Sequence, residues 1–586
     1  MANSDGGIFG VNLGFAAAEQ KITRKKSDIV SRLNENLSAY WLKIFVFVLV
    51  SVAYAVTFVL FPRIIGEIID IFVSSIINSV LGFENAELSA LILTKTLIAV
   101  ALFLFNAFFS YLQGVLVSGI VTSFSLDMKT KVLEKYDSLP MSYIDKADHS
   151  KIVGVITDDI NVLCQGLNLL LQRTVTAIIL FICIIVTQFT VDVSLAVVSL
   201  AVSFAGVLIT VLLNKTESRV TKGKVEKENT MLDNAEEFFS GLHIVQRSGK
   251  INNTVEKLWD EVEEYGKKKN RIGIISALRT GVTELSSVVC CVAVSALGAF
   301  KIIAGDFSIG ILQTQIVYVR KMFQSFSELP MSFTVGRSIL VSAEKIYNFL
   351  DLDEETKNEN DFNVNENQVS EITVKNVVFS YAKDKTTVLK DVSFSIEGKG
   401  ITAISGETGV GKTTIAKLLL GFYDVQSGEI LYNGKNINTL SLKDYRKKFN
   451  VIVQGATLFN DTIANNIGYA CSGITFNEIK KAAVDCGADE FISKLPNGYD
   501  TVFDSENPIL SSGEIQLILL ARSFLRKNEF VIFDEATSNL DVATEKIIAE
   551  KLVELSKNCG IIVITHSRFA KNYADKSIHL TMGKVD

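Results

Sequence analysis

One segment of this chain, Gly406-Glu407-Thr408-Gly409-Val410-Gly411-Lys412-Thr413-Thr414, fits a phosphate-binding loop at every fixed position. It follows the apolar run from Ile401 to Ile404 and precedes a helix predicted from Ile415. In the pattern G-x-x-x-x-G-K-[ST], backbone N–H groups surround phosphate oxygens, the lysine reaches the β- and γ-phosphates and the next hydroxyl binds Mg²⁺. The segment therefore predicts nucleotide binding, with Thr413 as a Mg²⁺ ligand. A glycine-rich turn without a ligand is the alternative that this segment alone leaves open.

The composition indicates a protein that is partly in a membrane. Its 586 residues are enough for several domains, and 48% of them are hydrophobic. The net charge of −6 gives no reason to expect a nucleic acid as partner. The seven cysteines have no regular spacing, so they indicate neither a disulfide framework nor a zinc site.

Six long apolar stretches predict six transmembrane helices, at residues 44–61, 96–122, 174–189, 193–213, 281–303 and 309–333. A crossing of the hydrocarbon core needs about 20 apolar residues. Residues 28–42 have apolar groups at helical spacing and end in Tyr40 and Trp41, which is typical of a helix at the membrane surface. Buried helices of a soluble protein are the alternative, but they would have to produce all of these runs.

Basic residues predict the orientation of these helices. The segments between the second and third stretches and between the fourth and fifth are rich in Lys and Arg, whereas residues 64–94 contain none. By the positive-inside rule, the basic segments, the N-terminus and the C-terminal domain are cytoplasmic, in a multi-pass protein of the plasma or inner membrane.

A change of composition predicts the domain organisation. Residues 351–371 are rich in Asp, Glu and Asn, as expected for a linker, and short apolar strands then alternate with helices. The prediction is a cytoplasmic segment at 1–27, an all-α transmembrane domain with six helices at 28–350, a linker at 351–371 and an α/β nucleotide-binding domain of the P-loop type at 372–586.

Two further segments of the C-terminal domain suit nucleotide chemistry. The apolar strand Phe530–Phe533 ends in Asp534 and Glu535, which suits a Mg²⁺ ligand followed by a base that polarises a water at the γ-phosphate. A buried strand followed by an acidic helix cap is the alternative. Ser511 and Gly513 stand at the start of an apolar helix, where free amides and the helix dipole favour a phosphate. A second anion site implies a second nucleotide or a second subunit.

The order of these motifs resembles that of the ATP-binding cassette transporters, specifically the half-transporters that join six membrane helices to one ATPase domain. The resemblance runs from about residue 30 to the end of the chain and implies ATP and Mg²⁺ as cofactors. It implies the following roles: Tyr381 on adenine; Gly406 to Thr414 on the phosphates; Thr413, Gln454 and Asp534 on Mg²⁺; Ser511, Gly513 and Glu514 of the signature and Asp541 of the D-loop on the nucleotide; and Glu535 and His566 as catalytic residues.

The resemblance also implies a dimer with a second copy of the chain or with a related half-transporter, in which each ATP lies between the phosphate loop of one chain and the signature of the other. We therefore predict an ATP-driven exporter of a peptide, a drug-like molecule or a lipid. Predicted turns near Ser142–Lys151 and Asn234–Gly241 resemble the coupling helices that pass on the movement. The alternatives are an importer of a metal-chelating compound on the same fold and an ATP-gated channel or regulator that does not pump.

The signature departs from the family pattern at two positions. Ser512 stands where Gly is expected and Glu514 where Gln is expected, while Ser511 and Gly513 are kept. An altered signature beside an intact Glu535 also fits one half of a heterodimer with unequal ATP sites, so the homodimer and the heterodimer both remain open.

Polar residues in the predicted membrane helices suggest the nature of the cargo. A charge facing lipid at mid-membrane costs about 2.5–3.5 kcal/mol on insertion scales, so Arg320 and Lys321 are expected to face a cavity. The other residues assigned to this cavity are Gln313, Gln315, Gln324, Asn106, Gln113 and Glu284. Such a cavity suits a hydrophilic or anionic group. The alternatives are ion pairs between helices, such as Arg320 with Glu284, and side chains that extend toward the inner membrane interface.

Overall fold

The computed structural model of this chain has two compact units, Met1–Ser138 with Ala147–Leu352 and Leu139–Lys146 with Asp353–Asp586. It describes residues 24–80, 86–145, 149–249, 251–355, 370–381, 387–453, 457–469, 471, 473–505, 509–526, 528–534, 542–565 and 572–585. The short segment Leu139–Lys146 belongs to the second unit although the first unit surrounds it in sequence. The domain boundaries drawn from the sequence stay predictions.

Helices make up the first unit, because its sequence is a series of long runs with few helix breakers. Two π-helical turns, Val155–Asp159 and Leu170–Val175, flank the helix Ile160–Leu169. Several helices extend well beyond the apolar stretches that they contain. The bounds are α1 (Lys26–Ser38), α2 (Trp41–Val80), α3 (Ala86–Ser138), α4 (Met141–Ile144, in the second unit), α5 (His149–Gly154), α6 (Ile160–Leu169), α7 (Thr176–Val191), α8 (Val193–Ser240), α9 (Leu242–Arg247), α10 (Ile251–Ile303) and α11 (Ile309–Leu350).

One predicted turn begins later than expected. The sequence placed it near Asn234–Gly241, but α8 continues to Ser240 and ends only at Gly241, whose φ of −93° and ψ of 7° are not helical. The residues between Asn234 and Gly241 include Ala and two Glu, which favour a helix, and glycine is the first that disfavours it strongly. The other turn, predicted near Ser142–Lys151, contains α4 and the start of α5.

Among the residues that the structure describes, five helical segments are long and apolar enough to cross a membrane: Trp41–Ile76, Ala90–Ser138, Ile152–Val191, Val193–Leu213 and Ile251–Ile303. They contain five of the six predicted stretches. The sixth stretch forms the first half of the continuous helix α11, which does not meet the same criterion within the described residues. Arg320, Lys321 and three glutamines make this half too polar. A helix of this kind needs protein or water along one face.

One face of α11 is held against α2 by polar contacts. The hydroxyl of Tyr318 donates to the carbonyl oxygen of Val59 at 2.6 Å. Nearer the start of α11, the carboxylate of Asp70 accepts the hydroxyl of Ser308 at 2.6 Å and the N–H of Gly310 at 2.8 Å. These contacts hold the first part of α11 against α2.

Two cations, Arg320 and Lys321, are neighbours in the sequence of α11. Arg320 and Gln324 are exposed and Lys321 is half-buried. The ammonium of Lys321 donates to Oε1 of Gln324 at 3.1 Å and lies 5.0 Å from the centroid of the Phe58 ring. Arg320 and Glu284 are both exposed, and no ion pair joins them in the described part of the chain.

Three residues assigned to the polar cavity are buried or bonded within the helix packing instead, so the prediction is wrong for them. Gln113 is 5% exposed and donates to Oγ of Ser51 at 2.8 Å. Asn106 donates to the carbonyl oxygen of Tyr54 at 3.2 Å. Gln315 is 1% exposed. A polar side chain in a membrane helix serves helix packing as readily as cargo binding, and the sequence does not distinguish the two uses.

The described part of the second unit contains two sheets. The larger has the order β10-β9-β3-β8-β7-β6, and a four-stranded antiparallel sheet has the order β2-β1-β4-β5. This confirms the predicted α/β class. The strands are β1 (Glu371–Phe379), β2 (Leu389–Glu397), β3 (Gly400–Gly406), β4 (Ser427–Tyr432), β5 (Lys435–Asn436), β6 (Phe449–Val453), β7 (Phe530–Asp534), β8 (Gly560–Ile564), β9 (Lys576–Thr581) and β10 (Lys584–Val585). The helices are α12 (Lys412–Leu419), α13 (Leu442–Arg446), α14 (Ile463–Gly468), α15 (Phe476–Cys486), α16 (Asp489–Ile492), α17 (Ser512–Leu525) and α18 (Val542–Leu555).

Candidate functional site

The predicted phosphate loop joins β3 to α12. Its last residue before the helix, Gly411, has a φ of 108°, a left-handed conformation that glycine adopts without steric cost. A Cβ there would lie 2.8 Å from Cδ2 of Leu389 and 3.0 Å from Cγ1 of Val388. The loop therefore needs glycine at this position for both its conformation and its packing.

Lys412 is the first residue of α12 and is only 4% exposed. Its ammonium donates to the carbonyl oxygens of Gly406 at 3.1 Å and of Glu407 at 2.9 Å. A buried charge must be hydrogen-bonded to be tolerated. The loop itself supplies acceptors in this structure, and a phosphate could replace them.

Thr413 and Asp534 meet beside this loop. The hydroxyl of Thr413 donates to Oδ1 of Asp534 at 3.4 Å, and Asp534 is 6% exposed at the end of β7. A hydroxyl and a carboxylate are the kind of oxygen ligands that Mg²⁺ takes together with substrate phosphates. These two residues therefore fit the predicted Mg²⁺ site.

The carboxyl ends of four neighbouring strands lie along the same edge of the sheet as the loop, because β3, β8, β7 and β6 are parallel. Three predicted residues follow these strands within two positions: Gln454 after β6, Glu535 after β7 and His566 after β8. These three and Asp541 lie outside the described residues. Their roles stay predictions.

Tyr381, the predicted adenine contact, follows β1 and belongs to a group of aromatic rings. Its hydroxyl is 3.0 Å from Oγ1 of Thr414. Its ring centroid is 5.0 Å from that of Phe379 and 5.3 Å from that of Tyr423, both edge-on. The ring is 36% exposed, so an aromatic surface remains available to a base next to the phosphate loop.

Asp145 in the segment Leu139–Lys146 contacts this region, which the sequence did not predict. Lys417 on α12 donates to both carboxylate oxygens at 2.8 and 2.9 Å, and the hydroxyl of Tyr423 donates at 2.7 Å. Burial and the Asp145 carboxylate raise the pKa of Tyr423, so its phenol keeps the proton that it donates. Because the partners are 272 and 278 residues apart, no local pattern could have revealed the contact.

The signature segment begins α17, as predicted. The N–H and the hydroxyl of Ser511 both donate to Oε2 of Glu514, at 2.7 and 2.8 Å. Ser511 is exposed and Gly513 is buried. In the described part of the chain, no hydrogen bond joins Ser511 or Glu514 to the phosphate loop. The structure thus brings Tyr381, the loop and Asp534 together, and it gives the signature separate contacts.

Family models match most of the chain. Residues 44–326 match the transmembrane region of ABC transporters, and residues 389–538 match the ABC transporter model.

Curated relatives cover a similar extent. An ATP-dependent lipid A-core flippase of Legionella pneumophila (strain Paris) is 30% identical over 464 residues, 76% of this chain and 76% of the relative. A fatty acid ABC transporter ATP-binding/permease protein of Mycobacterium tuberculosis (strain CDC 1551 / Oshkosh) is 28% identical over 489 residues, 83% of this chain and 77% of the relative.

A solved structure shares the fold. It is a bacterial Atm1-family ABC exporter with ATP bound, with a TM-score of 0.74 and 22% sequence identity over 93% of this chain and 94% of that chain.

Proposed function

Because this chain belongs to the ATP-binding cassette transporters, we propose that it is one half of an exporter that uses ATP hydrolysis to move a lipid-like anion out of the cytoplasm. Membership of the family makes it a multi-pass membrane protein that binds ATP and couples ATP hydrolysis to transport. The cargo, the direction, the dimer and the residue roles below are proposals.

The observation that supports this function most strongly is the arrangement around the phosphate loop. The buried ammonium of Lys412 and the pair formed by Thr413 and Asp534 lie at one sheet edge. Lys412 would bind the β- and γ-phosphates. Thr413 and Asp534, with Gln454 by its motif position, would hold Mg²⁺, which offsets charge developing on the transferred phosphoryl group.

Hydrolysis would use the residues that follow the neighbouring strands. Glu535 comes directly after Asp534 and would take a proton from the attacking water. His566 follows the intervening strand β8 and would contact the γ-phosphate. The ring of Tyr381 would stack on adenine, since it is partly exposed and its hydroxyl is tied to Thr414 on α12.

The contacts of the signature, which are separate from those of the phosphate loop, support a dimer. A phosphate at the start of α17 would be held by Ser511 and Gly513, apart from the loop that binds the other side of the nucleotide. We infer that each ATP lies between two chains, either two copies of this chain or this chain and a related half-transporter. Formation of that sandwich would switch the membrane helices between inward- and outward-facing arrangements.

The two cations of α11 support an anionic cargo. Arg320 and Lys321 are neighbours in the sequence of α11, and the Lys321 ammonium lies beside the apolar ring of Phe58 on α2. A cationic surface flanked by apolar groups suits a molecule with an acidic group and a hydrophobic part. A lipid such as a fatty acid has both, and the names of the two relatives above refer to a fatty acid and to lipid A; an anionic peptide or drug-like molecule also fits.

The proposed function is tested by measuring ATP hydrolysis by the purified chain in lipid vesicles, with the Glu535→Gln variant beside it. We expect hydrolysis that the substitution abolishes while ATP binding persists, and greater stimulation by oleate than by oleyl alcohol. ATP binding without hydrolysis in the unsubstituted chain would contradict a pump formed by this chain alone and would favour a missing partner subunit or an ATP-gated role.

A further inference from the structure

The start of α17 already holds an anion in this structure. Ser511, the residue before the helix, donates its N–H and its hydroxyl to the same carboxylate oxygen of Glu514, and the N–H of Glu514 donates back to the Ser511 hydroxyl at 3.3 Å. This is a complete capping box. The Ser511 hydroxyl is one of the groups proposed to hold a phosphate at this helix start, together with Gly513.

The fold does not require a negative charge at position 514. A capping box forms with Gln as well as with Glu, because one side-chain oxygen accepts from the N-cap residue in both cases. The carboxylate adds a charge, which the dipole at the start of α17 stabilises in place. A phosphate that approaches Ser511 therefore meets a like charge and finds the Ser511 hydroxyl already donating to it.

We propose that Glu514 is a positioning residue that acts through Ser511, holding its donors until the γ-phosphate of ATP on the second chain displaces the carboxylate. The inference rests on the proposed function, because it needs that second chain. If Glu514 acts in this way, ATP binding at the phosphate loop alone does not bring the two chains together around the nucleotide. Glu514 raises the ATP concentration at which closure and hydrolysis occur.

A second capping box in the same unit provides a matched control. At the start of α15, the N–H and hydroxyl of Thr475 donate to Oε2 of Glu478 at 2.8 and 2.7 Å. This geometry repeats that of Ser511 and Glu514 at a helix start with no predicted nucleotide contact. Glu478→Gln therefore removes the same charge from the same kind of cap without affecting the signature.

The experiment measures ATP hydrolysis by the full chain in lipid vesicles against ATP concentration, for the unsubstituted chain, Glu514→Gln and Glu478→Gln. We expect Glu514→Gln to lower the KM for ATP by roughly tenfold, the change that about 1.4 kcal/mol produces, with a much smaller change in kcat. Glu478→Gln should leave the KM unchanged. Ser511→Ala should raise the KM, since it removes one of the contested donors.

Each other outcome overturns a distinct claim. If the unsubstituted chain hydrolyses ATP and Glu514→Gln has the same KM or a higher one, the inference about Glu514 is overturned and the proposed function stands. Equal decreases for Glu514→Gln and Glu478→Gln also overturn it, because the effect would then be that of any removed surface charge. If the unsubstituted chain hydrolyses no ATP, the proposed function fails and the inference fails with it.

Discussion

The starts of α12 and α17 are both proposed to hold ATP, but they present groups of opposite charge to a phosphate. At α12, the Lys412 ammonium donates to two carbonyl oxygens of its own loop. At α17, Ser511 donates to the carboxylate of Glu514. A phosphate arriving at Lys412 replaces neutral acceptors and gains a charge-assisted bond, whereas a phosphate arriving at Ser511 must displace another anion.

This difference distinguishes ATP binding at the phosphate loop from the later closure of two chains around that ATP. The phosphate loop is suited to take ATP whenever it is present, and the signature is suited to accept its γ-phosphate only at a cost. A transporter with this arrangement would spend time with ATP bound and its two nucleotide-binding domains apart, and cargo could enter during that time. The following predictions test each side of the comparison.

The largest effect is expected from removing the cation of the loop. Lys412→Ala should lower ATP hydrolysis by roughly 100-fold or more, the range seen when one preorganised charge-stabilising group is lost from an active site. Nucleotide binding and hydrolysis measure it. Lys417→Ala is the control, because Lys417 lies on the same helix but pairs with Asp145, and it should keep ATP binding. Equal losses in both variants would mean that general damage to α12, and not phosphate contact, explains the result.

The next effect concerns the backbone of the loop. Gly411→Ala would place a Cβ 2.8 Å from Cδ2 of Leu389 on a residue whose φ is 108°. We expect the substitution to cost about 1–3 kcal/mol of stability and to weaken ATP binding. Gly434→Ala is the control: its φ is 77°, but a Cβ there meets nothing within 4 Å. Thermal unfolding and ATP affinity should separate the two variants, and an identical loss in both would show that strain alone matters.

The smallest effect concerns the link between Asp145 and the aromatic group. Tyr423→Phe removes a hydrogen bond of 2.7 Å to Asp145 but keeps the ring against Tyr381, so we expect a loss of about 1 kcal/mol of stability and lower stimulation of hydrolysis by cargo. Tyr499→Phe removes a comparable 2.7 Å bond to Asp489, away from the loop. It should lose similar stability and keep the stimulation. Unchanged stimulation in Tyr423→Phe would show that this contact does not carry the coupling.

Much of the fold could be predicted because it depends on local pattern. The strands β1 to β3, the loop and the start of α17 follow from short runs with turn or glycine signals, and long apolar runs give the membrane helices. Local pattern also misled where polar side chains such as Gln113 serve packing between helices. The turn predicted near Asn234–Gly241 lies at the end of that range, because α8 ends only at Gly241.

The rest depends on contacts between distant parts of the chain. Asp145 joins the nucleotide-binding unit through Lys417 and Tyr423. The family resemblance implied a coupling helix near position 145, but nothing in the local sequence indicates these two partners. The Ser511 and Glu514 contact differs, since the pattern S-x-x-E before an apolar run is itself the signal of a capping box. Its conflict with phosphate binding depends on the contact itself, in which the Ser511 hydroxyl donates to the Glu514 carboxylate.

The most direct test of the account is a mixed dimer of two inactive chains, Lys412→Ala and Ser511→Arg, co-expressed with different tags and purified through both. If each ATP lies between the loop of one chain and the signature of the other, the mixed dimer contains one intact site, formed by the loop of the Ser511→Arg chain and the signature of the Lys412→Ala chain. We predict ATP hydrolysis well above that of either homodimer. Hydrolysis no higher than that of the two homodimers would contradict the shared site and with it the proposed mechanism.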